Sequence, residues 1–281
     1  MSPIDRDRAR EKRRYEKHQA KLEMRGVEAR RNKQVFGVVL AMLLVVVGFV
    51  GVSSALKTDD KTAAAAAKPT SPATPTAPAS AAPTLAAPVA GCVTPPKVPT
   101  DKRTGTLPDK ATAAGKTFVA TVTTNCGVIT MELDGAKAPQ TVASFLGLAK
   151  SGYWADSPCH RLTTSGIFVL QCGDPTGTGG GDPGYGYGVE NAPKDFTFAP
   201  GTLAMARTSD PETNGGQFFV VYKQTVLQDP AGYSIFGRIT SGMGIVDKIA
   251  AAGASQADAN GNTAPLQRIS ILKVDVAEKK A

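Results

Sequence analysis

Histidine is nearly missing: the 281 residues hold two, His18 and His160, beside four cysteines and a single tryptophan. No CxxC pair occurs among the cysteines, so the usual ligand sets of a zinc site cannot be assembled, and neither a metal nor any other cofactor is expected. The scarcity continues where chemistry would otherwise be sought. The stretch CHRLTTSGIFVLQCGDPTGTGGG, residues 159–181, has one histidine, one aspartate, no glutamate and one arginine, Arg161, set among apolar residues. Cys159 and His160 are neighbours, and adjacent side chains on a strand point to opposite faces, which excludes them as a nucleophile and its base. The glycines at 177–181 lead into Asp182 and Pro183 instead of a helix, so they are not a phosphate cradle at a helix N-terminus.

Basic charge is scarce outside one region. The chain carries +8, but residues 1–34 hold twelve Lys and Arg against six acids, leaving only +2 for everything that follows. A nucleic-acid-binding domain is therefore not expected. Residues 35–56, VFGVVLAMLLVVVGFVGVSSAL, lack any charge. At about 1.5 Å per residue they span the roughly 30 Å hydrocarbon core of a bilayer. Arg30, Arg31 and Lys33 immediately precede them, so the positive-inside rule predicts a single-pass signal anchor with its N-terminus in the cytoplasm and the rest outside. From 57 to 115 the chain is rich in Ala, Pro, Thr and Lys without a periodic apolar face, which predicts an extended extracytoplasmic linker. VAGC at 89–92 resembles a lipidation signal, but an apolar segment does not abut Cys92. All four cysteines follow the apolar span, where oxidising conditions favour disulfides, and four cysteines allow three pairings.

The folded domain is expected over 116–277. FVATVTT and GVITMEL, separated by Asn125 and Cys126, predict a tight hairpin. Pro139 opens a helix with Val142, Phe145, Leu146 and Ala149 at helical spacing up to Gly152, and a second helix is predicted over 243–251. CHRL, IFVLQC, GTLAMAR, GQFFVVY, YSIFGRI and RISILKVDV read as further strands. Many short strands with two helices predict a mainly β domain, a closed barrel capped by helices, because closure removes exposed edges.

The blocks HRLTTSGIFVLQCGDPTGTG, GTLAMAR, NGGQFF and FGRI, in this order over 117–276, resemble the cyclophilin family of peptidyl-prolyl isomerases. The resemblance implies an eight-stranded antiparallel barrel capped by two α-helices, with a peptide groove on its outer surface. It places the catalytic arginine at Arg161, with Phe168 and Gln171 beside it. It assigns the proline pocket to Phe168, Val169, Phe219 and Leu227, and contacts to the peptide backbone to Gln171, Ala206, Arg207 and Gln217. Gly177 falls in the groove-lining loop, and Met205 and Tyr233 complete the substrate-binding set. The chain departs from the family pattern in two extra residues between Arg161 and Phe168, in Cys159 for Phe, Val169 for Met, Arg207 for Asn and Tyr233 for His. The groove tryptophan position falls nearest Val226.

The implied activity is cis/trans isomerisation of X-Pro bonds in exported polypeptides, by a monomeric domain tethered to the outer face of the cytoplasmic membrane. The partners are proline-containing polypeptides, and nucleic acid is not among them. The alternative is a membrane-tethered proline-peptide binding or scaffold module with little turnover. The sparse chemistry suits isomerisation. Resonance gives the peptide C–N bond a rotational barrier of about 18–20 kcal/mol, and rotation needs neither a nucleophile nor a metal. A guanidinium that keeps its donors, an apolar pocket and a glutamine that grips backbone suffice. For the cysteines, a Cys159–Cys172 bridge across the short strand pair, leaving Cys92 with Cys126, is the favoured pairing. In an ideal register Cys159 shares the face of Arg161 while Cys172 points away from Gln171, so that bridge requires a bulge.

Overall fold

The computed structural model describes residues 83–84, 87–258 and 261–280. The basic tail, the apolar span 35–56 and residues 57–82 and 85–86 of the expected linker lie outside the described residues. Among the described residues, no helix is long and apolar enough to cross a membrane.

Strand β1 (Thr117–Thr124) alternates strictly, sending Phe118, Ala120 and Val122 inward, and β2 (Gly127–Asp134) does the same with Ile129, Met131 and Leu133. They form the predicted hairpin, with Thr124 opposite Gly127 across the two-residue turn. Helix α1 (Pro139–Lys150) starts on its proline without a side-chain cap from Ala138. The Glu190 carboxylate replaces that cap, accepting from the amides of Gln140 at 3.0 Å and Thr141 at 2.8 Å, and so satisfies amides that have no partner inside the helix. Its Phe145 ring packs 4.5 Å from Trp154, the lone tryptophan, which is buried and donates from Nε1 to Gly216 O.

After α1 come β3 (Ser157–Pro158), β4 (Arg161–Leu162), β5 (Val169–Cys172), β6 (Thr197–Phe198), β7 (Thr202–Met205), β8 (Phe218–Val221), β9 (Thr225–Val226) and β10 (Ile235–Ser241). Helix α2 (Met243–Ala251) and β11 (Ser270–Glu278) complete the order. Nine strands form one antiparallel sheet ordered β3-β11-β1-β2-β10-β7-β8-β5-β4, while β6 and β9 pair separately. The sheet curls until both of its edges, β3 and β4, lie in one stretch of chain, divided only by Cys159 and His160. The expected eight strands become eleven among the described residues, nine in this sheet and two in the β6–β9 pair; of the run CHRL only Arg161 and Leu162 are strand, because Cys159 and His160 interrupt it, and β3 lies before the run.

The same interruption carries the Cys159–Cys172 disulfide. Arg161 pairs with Gln171 and Leu162 with Leu170. A regular continuation would place His160 opposite Cys172; the break puts Cys159 there instead, and both sulfurs lie in the main core. The second bond joins Cys92 to Cys126.

That second bond belongs to a segment whose behaviour differs from the sequence-based boundary at 116. Residues 89–115 pack on the domain. Val93 exchanges hydrogen bonds with Asn125, donating to its carbonyl at 2.8 Å and accepting from its side chain at 2.7 Å. Further along, Gln140 Nε2 donates to Pro108 O. Hydrogen bonds of backbone and side chains and one disulfide hold this segment, and no apolar periodicity marks it.

Two apolar layers share the strands β5, β7 and β8. Leu170, Leu203, Met205, Phe218 and Val220 face the main core inside the curl. Their alternating neighbours Val169, Ala204, Phe219 and Val221 form a second cluster with Phe198, on the outer face. Strand β8 is consequently buried at all four positions.

Candidate active site

The outer cluster is open on one side. There a cavity of about 110 Å³ is bordered by Ile167, Val169, Phe219, Leu227 and Tyr233, with Arg161, Gln171, Ala206 and Arg207 at its polar margin. Phe219 and Tyr233 meet edge to face at 5.8 Å, and Phe198 closes the floor behind them. The walls are apolar, and the volume equals about four water molecules at roughly 30 Å³ each, so a small saturated ring fits better than a large aromatic one.

Two guanidiniums border this cavity, and their circumstances differ. Arg207 has a side chain only 1% exposed, paired with Asp229 at 2.7 Å. It also donates to Gly232 O and Thr208 O and lies 4.6 Å over the Tyr233 ring. That pairing holds the Asp229 carboxyl below its ordinary pKa. Arg207 therefore fixes Tyr233 and contributes to the cavity as architecture. Arg161 donates one hydrogen bond, from Nη1 to Gln171 Oε1 at 3.2 Å. A guanidinium has five N–H donors, so most of those of Arg161 remain for a ligand.

Gln171 continues the line, donating from Nε2 to Gln217 Oε1 at 2.9 Å. Gln217 in turn donates from Nε2 to the carbonyls of Gly179 and Gly181, at 3.0 and 2.9 Å. The glycine loop is organised by Asp174, which is fully buried. Its carboxylate accepts from Thr176 N and Oγ1, Thr178 Oγ1, Gly179 N and Gly181 N. Burial alone would raise its pKa; the hydrogen bonds from Thr176, Gly181 and Gly179 outweigh that and hold it below the ordinary aspartate value. Only glycine fits at 181, since a Cβ there would stand 2.1 Å from Asp174 Oδ1. A wider recess of about 500 Å³, lined by Gly179, Gly180, Gly181, Tyr185, Gly216 and Gln217, adjoins the small cavity through Gln171, Ala206 and Arg207, which line both. Beneath the loop, His160 has a buried Nδ1 with no hydrogen-bond partner. Burial lowers its pKa, Asp174 pulls it up, and Arg161 pushes it down again.

Of the residues expected from the sequence, Arg161, Gln171, Val169, Ala206, Arg207, Gln217, Phe219, Leu227 and Tyr233 converge on these two recesses. Three stand apart. Met205 alternates into the main core opposite Phe218. Phe168 packs its ring on Tyr222 at 6.0 Å, with Lys223 Nζ 4.6 Å above it. Gly177 sits against Pro158, whose Cγ is 2.6 Å from where a Cβ would be. Ile167, in the bend before β5, borders the cavity where Phe168 was expected. Asp229 and Asp174 were not singled out by the sequence, because each acts through partners far from it along the chain or through backbone amides. Among the described residues, no three His, Cys, Asp or Glu side chains come together as a metal site.

Comparison with known proteins agrees with this geometry. The chain is 39% identical over 196 residues to the probable peptidyl-prolyl cis-trans isomerase B of Mycobacterium tuberculosis, covering 65% of this chain and 60% of that protein. The counterpart from Mycobacterium leprae is 41% identical over 187 residues, covering 60% of this chain and 62% of the relative. The chain thus spans about three fifths of the length of the mycobacterial relatives it matches. The peptidyl-prolyl cis-trans isomerase-like 1 protein of Mus musculus is 39% identical over 153 residues, covering 53% of this chain and 87% of the mouse protein. Residues 119–276 match the family model described as cyclophilin type peptidyl-prolyl cis-trans isomerase/CLD, and the chain belongs to that family.

Proposed function

We propose that this chain catalyses cis/trans isomerisation of X-Pro peptide bonds in exported polypeptides, at the outer face of a cytoplasmic membrane. The observation that carries the activity is the 110 Å³ apolar cavity with the Arg161 guanidinium at its edge. The proline ring enters between Val169, Phe219 and Leu227, while Gln171 and Gln217 hold the flanking backbone. As the amide twists, its nitrogen becomes pyramidal and basic, and Arg161 donates to it. Donation there favours the twisted state over the planar one, which is what lowers a rotational barrier. No covalent bond forms or breaks. The extracytoplasmic setting rests on the sequence alone: the uncharged run 35–56, the basic residues before it and the four cysteines beyond it. A protease-coupled assay on a proline tetrapeptide tests the activity. Acceleration that depends on Arg161 supports the reading; peptide binding without acceleration would instead make the chain a proline-peptide binding module.

A further inference from the structure

Residues 98–105 precede the stretch matched by the family model, yet they run along the outer side of the glycine loop. Val98 approaches Gly177, its Cγ1 3.8 Å from the position of an added Cβ. Arg103 anchors the segment to the turn after α1, donating from Nη1 to Tyr153 O at 3.0 Å and Ala155 O at 2.6 Å. Its Nε also donates to Asp101 at 2.9 Å. Gly105 N then donates to Pro183 O at 2.8 Å. The fit there is close, because a Cβ on Gly105 would lie 3.2 Å from Leu148 Cδ2 and 3.3 Å from Tyr185 Cε1.

On its inner side the same loop holds Gln217, and the polarity of that contact matters. Carbonyl oxygens only accept, so Gly179 O and Gly181 O oblige Gln217 to turn its NH₂ toward them. Its oxygen is then left for Gln171, whose NH₂ must point at Gln217 and whose oxygen faces Arg161. If the loop carbonyls withdraw, both amides are free to flip, and a flipped Gln171 presents donors to the donors of Arg161. A glycine-rich loop does not hold its carbonyls in place by itself, since glycine loses the most freedom on ordering. Asp174 ties residues 176–181 from within; the portion at Pro183 is tied from outside by Gly105.

We propose that residues 98–105 are a brace that orients the Arg161 guanidinium through the glycine loop, Gln217 and Gln171, with Arg103 as a positioning residue. The inference rests on the isomerase reading for its effect on rate, but its structural half stands without it.

The test uses the full chain. Arg103→Met keeps the aliphatic stem and removes the donors; kcat/KM for a proline tetrapeptide is expected to fall three- to tenfold, with the Kd of the peptide rising as well, because Gln171 and Gln217 also hold the flanking backbone. Hydrogen exchange read by mass spectrometry should rise in peptides covering 174–186 and stay unchanged in β1, β2 and β11. Arg103→Lys should recover part of the rate. Lys116→Met, which breaks the Lys116–Glu278 pair, should leave both readouts at wild-type values. If Arg103→Met does not fold, Gly105→Ala is measured in its place, with the same localised exchange and the same fall in kcat/KM expected. Wild-type kcat/KM with wild-type exchange in 174–186 would overturn the brace, and so would exchange rising equally throughout the sheet. A wild-type chain that binds the peptide but accelerates nothing would instead overturn the isomerase reading, leaving the exchange pattern to decide the brace.

Discussion

At the scale of single residues, Arg161 and Phe219 have different futures under mutation. Arg161→Ala should lower kcat/KM at least tenfold, about 1.4 kcal/mol of transition-state stabilisation. Its far-ultraviolet circular dichroism should match the wild type, because the half-buried side chain bonds only to Gln171. Full activity in this variant would sink the mechanism. Phe219→Ala should instead cost stability, about 3–5 kcal/mol in a urea titration, because its ring is 4% exposed and packs on Tyr233 and Phe198. His160 governs the pH response. Its folded pKa lies below the ordinary 6.5, so the unfolded chain binds more protons between the two values and stability rises with pH there. The contribution is whole above pH 6.5 and is lost as pH drops through the folded value. Tm should therefore be level above about pH 7 and decline below 6.5, and His160→Gln should remove that first decline. The depressed carboxyls of Glu132, Asp174 and Asp229 add a second one below their own ordinary values. An unaltered Tm profile in His160→Gln would contradict the assignment.

The elements around the site are joined by covalent links as well as by packing. Cys159–Cys172 bridges a separation of 13 residues across β4 and β5, and chain-entropy reasoning gives about 3 kcal/mol for a loop of 15. Cys159→Ala with Cys172→Ala should thus lower the unfolding free energy by about 2–3 kcal/mol, read from the denaturation midpoint at constant slope. Peptide mapping without reductant should recover Cys159 with Cys172 and Cys92 with Cys126; any crossed pair would refute the link across the site. This bridge also shows what the sequence could disclose about elements. The hairpin of β1 and β2 was legible because one face is buried and the other wet, giving strict alternation. The bulge that lets Cys159 meet Cys172 was legible as a requirement, but its position was not: the break falls at His160, not in the longer connection after Arg161. Strands β6 and β9 have two residues each, too few to show any period. Residues 89–115 were read as spacer because hydrogen bonds to distant carbonyls leave no mark on hydrophobic pattern. In the site, Arg161, Gln171 and Gln217 were readable from motif order, whereas Ile167 was not, because it borders the cavity from a bend outside any regular element.

For the whole molecule, the proposed membrane anchor and its orientation are open to a direct test that the charge distribution frames. Twelve basic residues in 1–34, three of them immediately before the uncharged run 35–56, predict that the tail stays in the cytoplasm while everything beyond emerges outside. Trypsin added to intact spheroplasts should then reach the stretch after the apolar run. Lys57 and Lys61 are its expected cutting sites, since Lys68 is followed by Pro69 and resists cleavage. Arg103 should survive despite lying in a segment that looks like linker, because its side chain is 20% exposed and bonded to Tyr153 O and Ala155 O. A protease requires extended backbone and a free side chain, and here both are held. The first product should therefore be a soluble fragment starting near residue 58 or 62 with isomerase activity, and later cuts should fall at the exposed Lys97 and Lys102 before Arg103. Cleavage after Arg103 as fast as after Lys61 would show that the segment does not stay packed. A domain untouched until the spheroplasts are lysed would place it in the cytoplasm and overturn the topology.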